Sequence, residues 1–307
     1  MMRLLLMLLL APGFAFSAPL VPPPGFAKNL AKTVSGKCIA LPAPYTGSLN
    51  FPSKYEGSDS ARATLNPEAE QAFRAQTKQI VDFERGISTM VWRYKRSGDP
   101  ATLTCLLRGY RDWAKAGALA TGWLELKFMP RSMPDDTADI DRWLSLLADQ
   151  VVKDWDGLAL SKTNNHSYWA AWSVMATSVA VNRQDLFDWS LKEYRIAAGQ
   201  IEADGTLPNE RQRRERATAY HNYALQPLVM IASFAQANNK DVMQENNHAL
   251  IRLARYVLQH DKSHLEWLEP YCTLIECDNV TITLRDNSRP LSNRRLGGDL
   301  TVLYGNQ

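Results

Sequence analysis

Apolar side chains recur at helical spacing through most of this chain. After Asn66 and up to Gly98, one such face consists of Phe73, Ile80, Phe83, Ile87, Met90 and Tyr94. Asn66 followed by Pro67 predicts the N-cap and the first residue of that helix. The same pattern returns after Asp135 and Asp136, which favour a helix start, at Ile140, Trp143, Leu144, Leu147 and Val151.

Further amphipathic helices are predicted over residues 165–181, 184–201, 211–236 and 241–260. The breaks between them fall at Asn182, at Asp204 and Gly205, and at Asn238 and Asn239, which are turn-prone residues. Residues 280–284, with the sequence VTITL, predict one short strand. Successive helical hairpins with short connections indicate an all-α toroid, barrel or solenoid.

The N-terminus has the pattern of an export signal. Arg3 supplies a positive charge, residues 4–10 are apolar, and residues 15–17 offer small side chains for cleavage. The apolar run is shorter than the roughly 20 residues of a membrane-spanning helix and is followed by Pro12. We therefore expect residues 1–17 to be removed and the processed chain to have no membrane span.

The segment from Pro19 to about Ser60 is rich in Pro, Gly and Ser and predicts an irregular N-terminal arm. With 307 residues and 45% hydrophobic content, the rest can bury a large core in one domain or a tight pair.

Four cysteines in an exported chain favour disulfides over metal ligation. Three pairings are open, and one of them joins the neighbours Cys272 and Cys277 and leaves Cys38 to Cys105. His260 and His264 are near only Cys272 and Cys277 in sequence, so the metal alternative is weak.

Charge and motif composition point to chemistry on an acidic substrate. The net charge of +3 is too small to imply nucleic-acid binding, and basic residues cluster only between Arg211 and Arg216. The runs 164–169 and 213–223 supply an amide, an imidazole, a guanidinium cluster and a phenol, the groups needed to neutralise a carboxylate and move a proton beside it. Tyr220 serves as a base only where positive charge favours its phenolate, so His166 is the alternative base.

Four stretches of the chain resemble polysaccharide lyase family 5, the periplasmic alginate lyases. They are SKYEGSDSARATLN (53–66), NNHSYWAAWS (164–173), LPNERQRRERATAYHNYAL (207–225) and WLEPYC (267–272). The likeness runs from about Leu20 to Gly298. It implies one domain over 18–307 with an (α/α) toroid fold, an incomplete α/α barrel around a deep groove. It also implies cofactor- and metal-free β-elimination on poly(β-D-mannuronate), the mannuronate form of alginate, in the periplasm, where the enzyme clears alginate during export.

The resemblance also assigns roles to individual residues. The family's catalytic asparagine, histidine, arginine and tyrosine fall on Asn165, His166, Arg213 and Tyr220. Its lid lysine falls on Lys54, and a substrate-contacting arginine falls on Arg295. Among the aromatic residues, Trp172 is a candidate for stacking against a sugar ring.

Two departures from the family pattern leave an alternative open. Family members carry a longer helical insertion where this chain has only Leu119 to Leu126, and a longer loop between His260 and Trp267. A shortened groove suits a non-catalytic alginate-binding scaffold that associates with proteins of the export apparatus. Retention of both His166 and Tyr220 favours the enzyme. An inverting hydrolase needs paired carboxylates, and none stands in a recognisable pair.

Overall fold

The computed structural model describes residues 18–28, 30, 38–45, 52–114 and 137–305. The predicted export signal and the segment 119–126 lie outside these residues. The helices are α1 Pro67–Ser97, α2 Pro100–Ala114, α3 Ala138–Trp155, α4 Asn165–Val181, α5 Gln184–Gln200, α6 Pro208–Arg211, α7 Ala217–Ala237, α8 Glu245–His260, α9 Leu268–Leu274, α10 Asn279–Asn287 and α11 Leu300–Tyr304.

Helix α1 begins and ends where the sequence predicts. The side chain of Asn66 accepts a hydrogen bond from the amide of Ala69 at 2.9 Å, and Pro67 is the first helical residue. At the other end Gly98 adopts a left-handed conformation (φ 64°), and its amide donates to the carbonyl of Tyr94 at 2.7 Å. The predicted turn at Asn182 is likewise a left-handed C-cap (φ 55°), so α4 has the predicted bounds.

The long helix predicted over 211–236 is interrupted near its start. Helix α6 ends at Arg211, Arg214 has a positive φ of 53°, and a short 3₁₀ turn, Arg214–Arg216, precedes α7. Arg213, which lies in this break, is buried, whereas a continuous helix would place the basic cluster on a solvated face.

Helices α4 and α7 lie at the centre of the core and are buried on nearly all sides. They pack against each other, while α3 and α5 flank α4, and α8 and α9 flank α7. Each helix from α1 to α4 also packs against the next described helix in the chain. This arrangement of helical hairpins is the (α/α) toroid, and the all-α prediction is confirmed.

The predicted strand at 280–284 is wrong, because these residues form helix α10. The carboxylate of Asp278 accepts a hydrogen bond from the amide of Thr281 at 2.7 Å and caps the helix. Local capping therefore overrides the β-branched pattern. The described strands are two-residue segments, β1 Ser292–Asn293 and β2 Gly298–Asp299, which pair antiparallel.

Both proposed cysteine pairs are present, Cys38 with Cys105 and Cys272 with Cys277. The first disulfide ties the N-terminal arm to α2. Among the described helices, none is long and apolar enough to cross a bilayer.

Candidate active site

The N-terminus of α4 presents two of the predicted residues. The side chain of Asn164 accepts from the amide of His166 at 3.0 Å, and the Ser167 hydroxyl accepts from the amide of Asn164 at 3.4 Å. This capping box satisfies the helix end. Asn165 is therefore not needed as a cap, and its side chain is free for another contact.

Asn165 is fully buried and bonded to a carboxylate on α6. Glu210 Oε1 accepts from the Asn165 backbone amide at 2.7 Å, and both carboxylate oxygens lie 3.0 Å from Asn165 Nδ2. Asn209, the neighbour of Glu210, donates to the carbonyls of Leu160 and Thr163 at 2.7 and 2.6 Å, which fixes α6 against the loop before α4.

The other end of α6 is held by His221 on α7. Its Nε2 accepts from the Leu207 amide at 2.9 Å, while its Nδ1 lies 2.6 Å from the carbonyl of Ala217. Nδ1 therefore carries the proton and the imidazole is neutral. Burial lowers the pKa of His221, which also favours this neutral form.

Arg213 lies in the turn after α6 and is only 8% exposed. Its Nη1 donates to the carbonyl of Ala61 at 2.9 Å, and its Nε is 3.8 Å from Glu210 Oε2. This Nε has no hydrogen-bond partner within the described part of the chain. A buried, permanently charged group with an unused donor suits an anionic ligand.

The guanidinium of Arg213 lies over the ring of Tyr220, 4.9 Å from its centroid, and that of Arg216 lies at 5.2 Å. The hydroxyl of Tyr220 is hydrogen-bonded to the hydroxyl of Tyr55. Burial, followed by this hydrogen bond, raises the pKa of Tyr220 to about 12, although both arginines oppose the shift. Tyr220 is therefore a protonated phenol at neutral pH.

Residues 53–66, which we call the lid segment, cover the arginines and Tyr220. The carboxylate of Asp59 accepts from the amides of Ala61, Ala63 and Thr64 at 3.0, 2.9 and 2.7 Å, which folds the segment into a turn. Arg216 donates to the Ala63 carbonyl at 3.3 Å, in parallel with the Arg213 contact to Ala61. The two arginines therefore link the lid segment to the start of α7.

His166 opens onto a groove cavity of ≈ 840 Å³ lined by Arg62, Trp155, Lys162, Asn209, Gln212 and Arg213. Its side chain is exposed to this groove. Burial, followed by the charges of Arg213, Arg62 and Lys54, lowers the pKa of His166. The imidazole is therefore neutral at pH 7 and can accept a proton. Lys54 also lies over the ring of Tyr55, at 5.5 Å from the centroid.

Arg295 contacts α7 one helical turn beyond Tyr220. Its Nη1 donates to the hydroxyl of Tyr223 at 2.8 Å, and its side chain is exposed. The prediction that Trp172 stacks on a sugar is wrong, because its ring is only 2% exposed. Trp172 Nε1 instead donates to the carbonyl of Arg295 at 2.8 Å, so this residue supports the arginine from the core.

Of the seven predicted catalytic or substrate-binding residues, His166 and Arg213 line the groove cavity, and the ring of Tyr220 lies against Arg213. Asn165 is joined to Arg213 through Glu210, and Lys54 lies over Tyr55, the hydrogen-bond partner of Tyr220. Arg295 contacts Tyr223 on the same helix as Tyr220. Sequence reasoning missed Tyr55 and Glu210. Tyr55 stands next to Lys54 in the lid motif, and that position was the available signal for it. Glu210 resembled a partner in a solvated charge cluster, and nothing in the local sequence reveals its burial.

A helical toroid whose groove combines a guanidinium, a neutral imidazole and a protonated phenol is the architecture of a polysaccharide lyase. The family model for alginate lyases matches residues 124–267, and an alginate lyase of Pseudomonas fluorescens is 48% identical over 337 residues, covering 94% of this chain and 91% of that protein. The chain belongs to the alginate lyase family.

Other relatives agree with this assignment. An alginate lyase of Cobetia marina is 47% identical, with 94% of this chain and 90% of that protein covered. The alignment with the Pseudomonas fluorescens protein, 337 residues, is longer than the 307 residues of this chain, so that relative carries residues which this chain lacks.

Solved structures share the fold. The crystal structure of alginate lyase A1-III from Sphingomonas species A1 matches with a TM-score of 0.71 and 25% identity, covering 92% of this chain and 91% of that chain. A histidine-to-alanine variant of A1-III complexed with a tetrasaccharide matches with a TM-score of 0.73 and 25% identity, covering 91% and 89%.

Proposed function

We propose that this protein cleaves poly(β-D-mannuronate) by β-elimination and leaves a 4,5-unsaturated uronate at the new non-reducing end. The observation that carries the proposal is the packing of the Arg213 guanidinium over the ring of Tyr220, in the groove that His166 also lines. The names of the relatives, all alginate lyases, support the substrate class. The A1-III variant complexed with a tetrasaccharide lacks a histidine, which agrees with a histidine in the active site.

In this reaction the proton on C5 leaves, the C4–O4 bond breaks, a C4–C5 double bond forms, and O4 takes up a proton. Negative charge builds on the uronate carboxylate as the C5 proton departs. Arg213 neutralises that charge with its free Nε donor, and the positive charge of Lys54 adds to the field around the groove. These contacts strengthen towards the transition state, which lowers the barrier.

We assign the proton donor and the proton acceptor from the protonation states of Tyr220 and His166 without substrate. Tyr220 holds its proton, so its hydroxyl can donate to the leaving O4. His166 is neutral and can accept the C5 proton, and its imidazolium can then return a proton to the phenolate of Tyr220. In mannuronate the C5 hydrogen and O4 lie on the same face, so Tyr220 alone can serve both steps if its phenolate forms first.

A pH–rate profile separates these two routes. If neutral His166 is the base, kcat/KM falls on the acid side with a pKa below 6.5 and is level above it, because protonation removes the acceptor. If the phenolate of Tyr220 is the base, kcat/KM keeps rising through the alkaline range towards a pKa of about 12. The raised pKa of Tyr220 favours the first profile.

Mannuronate preference is tested by following the ultraviolet absorbance of the unsaturated product on polymannuronate and on polyguluronate. We expect a rapid rise on polymannuronate and a much slower one on polyguluronate. Equal rates on both polymers would contradict the preference. Tight polymer binding without any rise in absorbance would instead support the non-catalytic scaffold. The observation that favours this alternative is that the chain lacks residues which its Pseudomonas fluorescens relative carries.

We further propose that the protein acts in the periplasm and removes alginate that strays there during export, together with proteins of the export apparatus. The signal-like residues 1–17 support this location. N-terminal sequencing of protein from the periplasmic fraction should find a start near Ala18. Intact Met1 in the cytoplasmic fraction would contradict export.

A further inference from the structure

Glu210 has no part in the proton transfers described above, yet it contacts Arg213, which neutralises the uronate in the proposed reaction, and Asn165, which the family resemblance makes catalytic. Its carboxylate binds the backbone amide and Nδ2 of Asn165, and it lies 3.8 Å from Nε of Arg213. All three residues are almost completely buried. A buried carboxylate is costly unless it is paired and hydrogen-bonded, so these contacts account for its presence.

A carboxylate can only accept hydrogen bonds, and this property fixes the orientation of the Asn165 amide. Nδ2 must face Glu210, because the opposite orientation would set Oδ1 against two carboxylate oxygens. The two N–H bonds of one amide group diverge far more widely than the two lines from Nδ2 to carboxylate oxygens that are both 3.0 Å away, so the two hydrogens cannot each point at one oxygen. One N–H directed between the two oxygens therefore explains both 3.0 Å contacts, and it leaves the second N–H for another partner.

The oxygen of the Asn165 side-chain amide supports the same orientation. Asn165 Oδ1 is buried and has no hydrogen-bond partner among the described residues, and the same is true of Arg213 Nε. Two unused polar atoms next to His166 are costly in the free protein, and a bound sugar acid can satisfy both. The orientation that Glu210 imposes is thus one that serves a ligand.

We propose that Glu210 is a positioning residue of the lyase reaction, which holds the Asn165 amide, and secondarily the Arg213 guanidinium, in the orientation that meets the uronate. This inference rests on the proposed function. Glu210 does not touch the reacting atoms. It acts through Asn165, whose misplacement by about 1 Å can cost about 10²-fold in rate.

The test replaces Glu210 by an isosteric neutral group, Glu210→Gln, and measures kcat, KM and thermal unfolding. The oxygen of the introduced glutamine can still accept from the Asn165 backbone amide, but its NH₂ group then replaces the oxygen that faces Nδ2, so the orientation of the Asn165 side chain is no longer fixed while shape is kept. We expect kcat to fall about 10²-fold with KM and the unfolding temperature little changed. Glu193→Gln is the matched control, because both glutamates are buried and burial raises the pKa of each, but Glu193 lies on α5.

A double-mutant cycle with Asn165→Ala shows whether Glu210 acts through that residue. We expect Glu210→Gln to cause little further loss of kcat in the Asn165→Ala background, because the group that it positions is gone. A full loss in that background, or an unchanged kcat in Glu210→Gln alone, would overturn the inference and leave the lyase intact. An inactive wild-type protein would overturn the proposed function and this inference together.

If Glu210→Gln does not fold, Glu210→Asp provides the same test with the charge kept. The shorter side chain withdraws the carboxylate from Nδ2, so kcat should fall and the loss should again vanish in the Asn165→Ala background. Wild-type kcat in a folded Glu210→Asp variant would count against the positioning role.

Discussion

The hydrogen bond between Tyr55 and Tyr220 allows a paired test of the acid role, because either hydroxyl can be removed without changing a ring. Tyr220→Phe and Tyr55→Phe both delete this one hydrogen bond. Both keep the aromatic faces on which the arginines lie, since Arg213 contacts the ring of Tyr220 and Arg216 contacts both rings. The two variants differ only in which hydroxyl remains next to the substrate.

The expected magnitudes are well separated. A hydrogen bond contributes about 0.5–1.5 kcal/mol net, so Tyr55→Phe should reduce kcat by about tenfold at most. Tyr220→Phe loses the same hydrogen bond and also the group that protonates O4, and general acid catalysis is worth about 10²–10⁴-fold. We therefore expect at least about 100-fold loss for Tyr220→Phe.

The assay follows the ultraviolet absorbance of the unsaturated product from polymannuronate at several substrate concentrations, which separates kcat from KM. Calorimetric titration with a mannuronate tetrasaccharide should show that both variants still bind, and thermal unfolding should show that both are folded. Equal losses of kcat in the two variants would refute the acid role of Tyr220 and reduce its function to holding the lid segment.

Three further predictions concern charge, pH and covalent links. Arg213→Ala should lower kcat/KM by more than tenfold, because a charge-assisted hydrogen bond is worth about 1.5–3 kcal/mol; unchanged kinetics on polymannuronate would contradict its neutralising role. Because the pKa of His221 is lowered in the fold, its contribution to the free energy of unfolding is present above about pH 6.5 and is lost as pH falls through the folded pKa. Urea unfolding at pH 7.5 and 5.5 should show this loss, and a His221→Gln variant with the same pH dependence as wild type would refute it. Removing the Cys38–Cys105 disulfide, with a sequence separation of 67, should lower the free energy of unfolding by about 4 kcal/mol. Removing the Cys272–Cys277 disulfide, with a separation of 5, should lower it by about 2 kcal/mol, and the reverse order in urea unfolding would contradict the loop-entropy argument.

Local signals predicted the helical part of the fold well. Asn66 with Pro67 marked the start of α1, and Asn182 marked the end of α4, because capping and turn chemistry depend on neighbouring residues only. The prediction of a strand at 280–284 was wrong, because the helix cap from Asp278 outweighs the weak β propensity of these residues.

The site was predictable only where a motif identified its residues. His166 and Tyr220 were named from the sequence, but their protonation states depend on burial and on charges brought from the lid segment. Glu210 was missed and Trp172 was misjudged for a related reason. Burial of Glu210 follows from the docking of α6 on α4, and burial of Trp172 from the central position of α4, and both are tertiary effects.

The central claim, elimination on mannuronate, is tested most directly by the masses of the products formed from a mannuronate tetrasaccharide of known mass. Elimination splits the chain without adding water, so the masses of each product pair should sum to that of the substrate, and one member should carry the unsaturated uronate. Product pairs heavier than the substrate by one water would show hydrolysis, and an intact tetrasaccharide bound to the protein would show a binding protein. Either result would contradict the lyase.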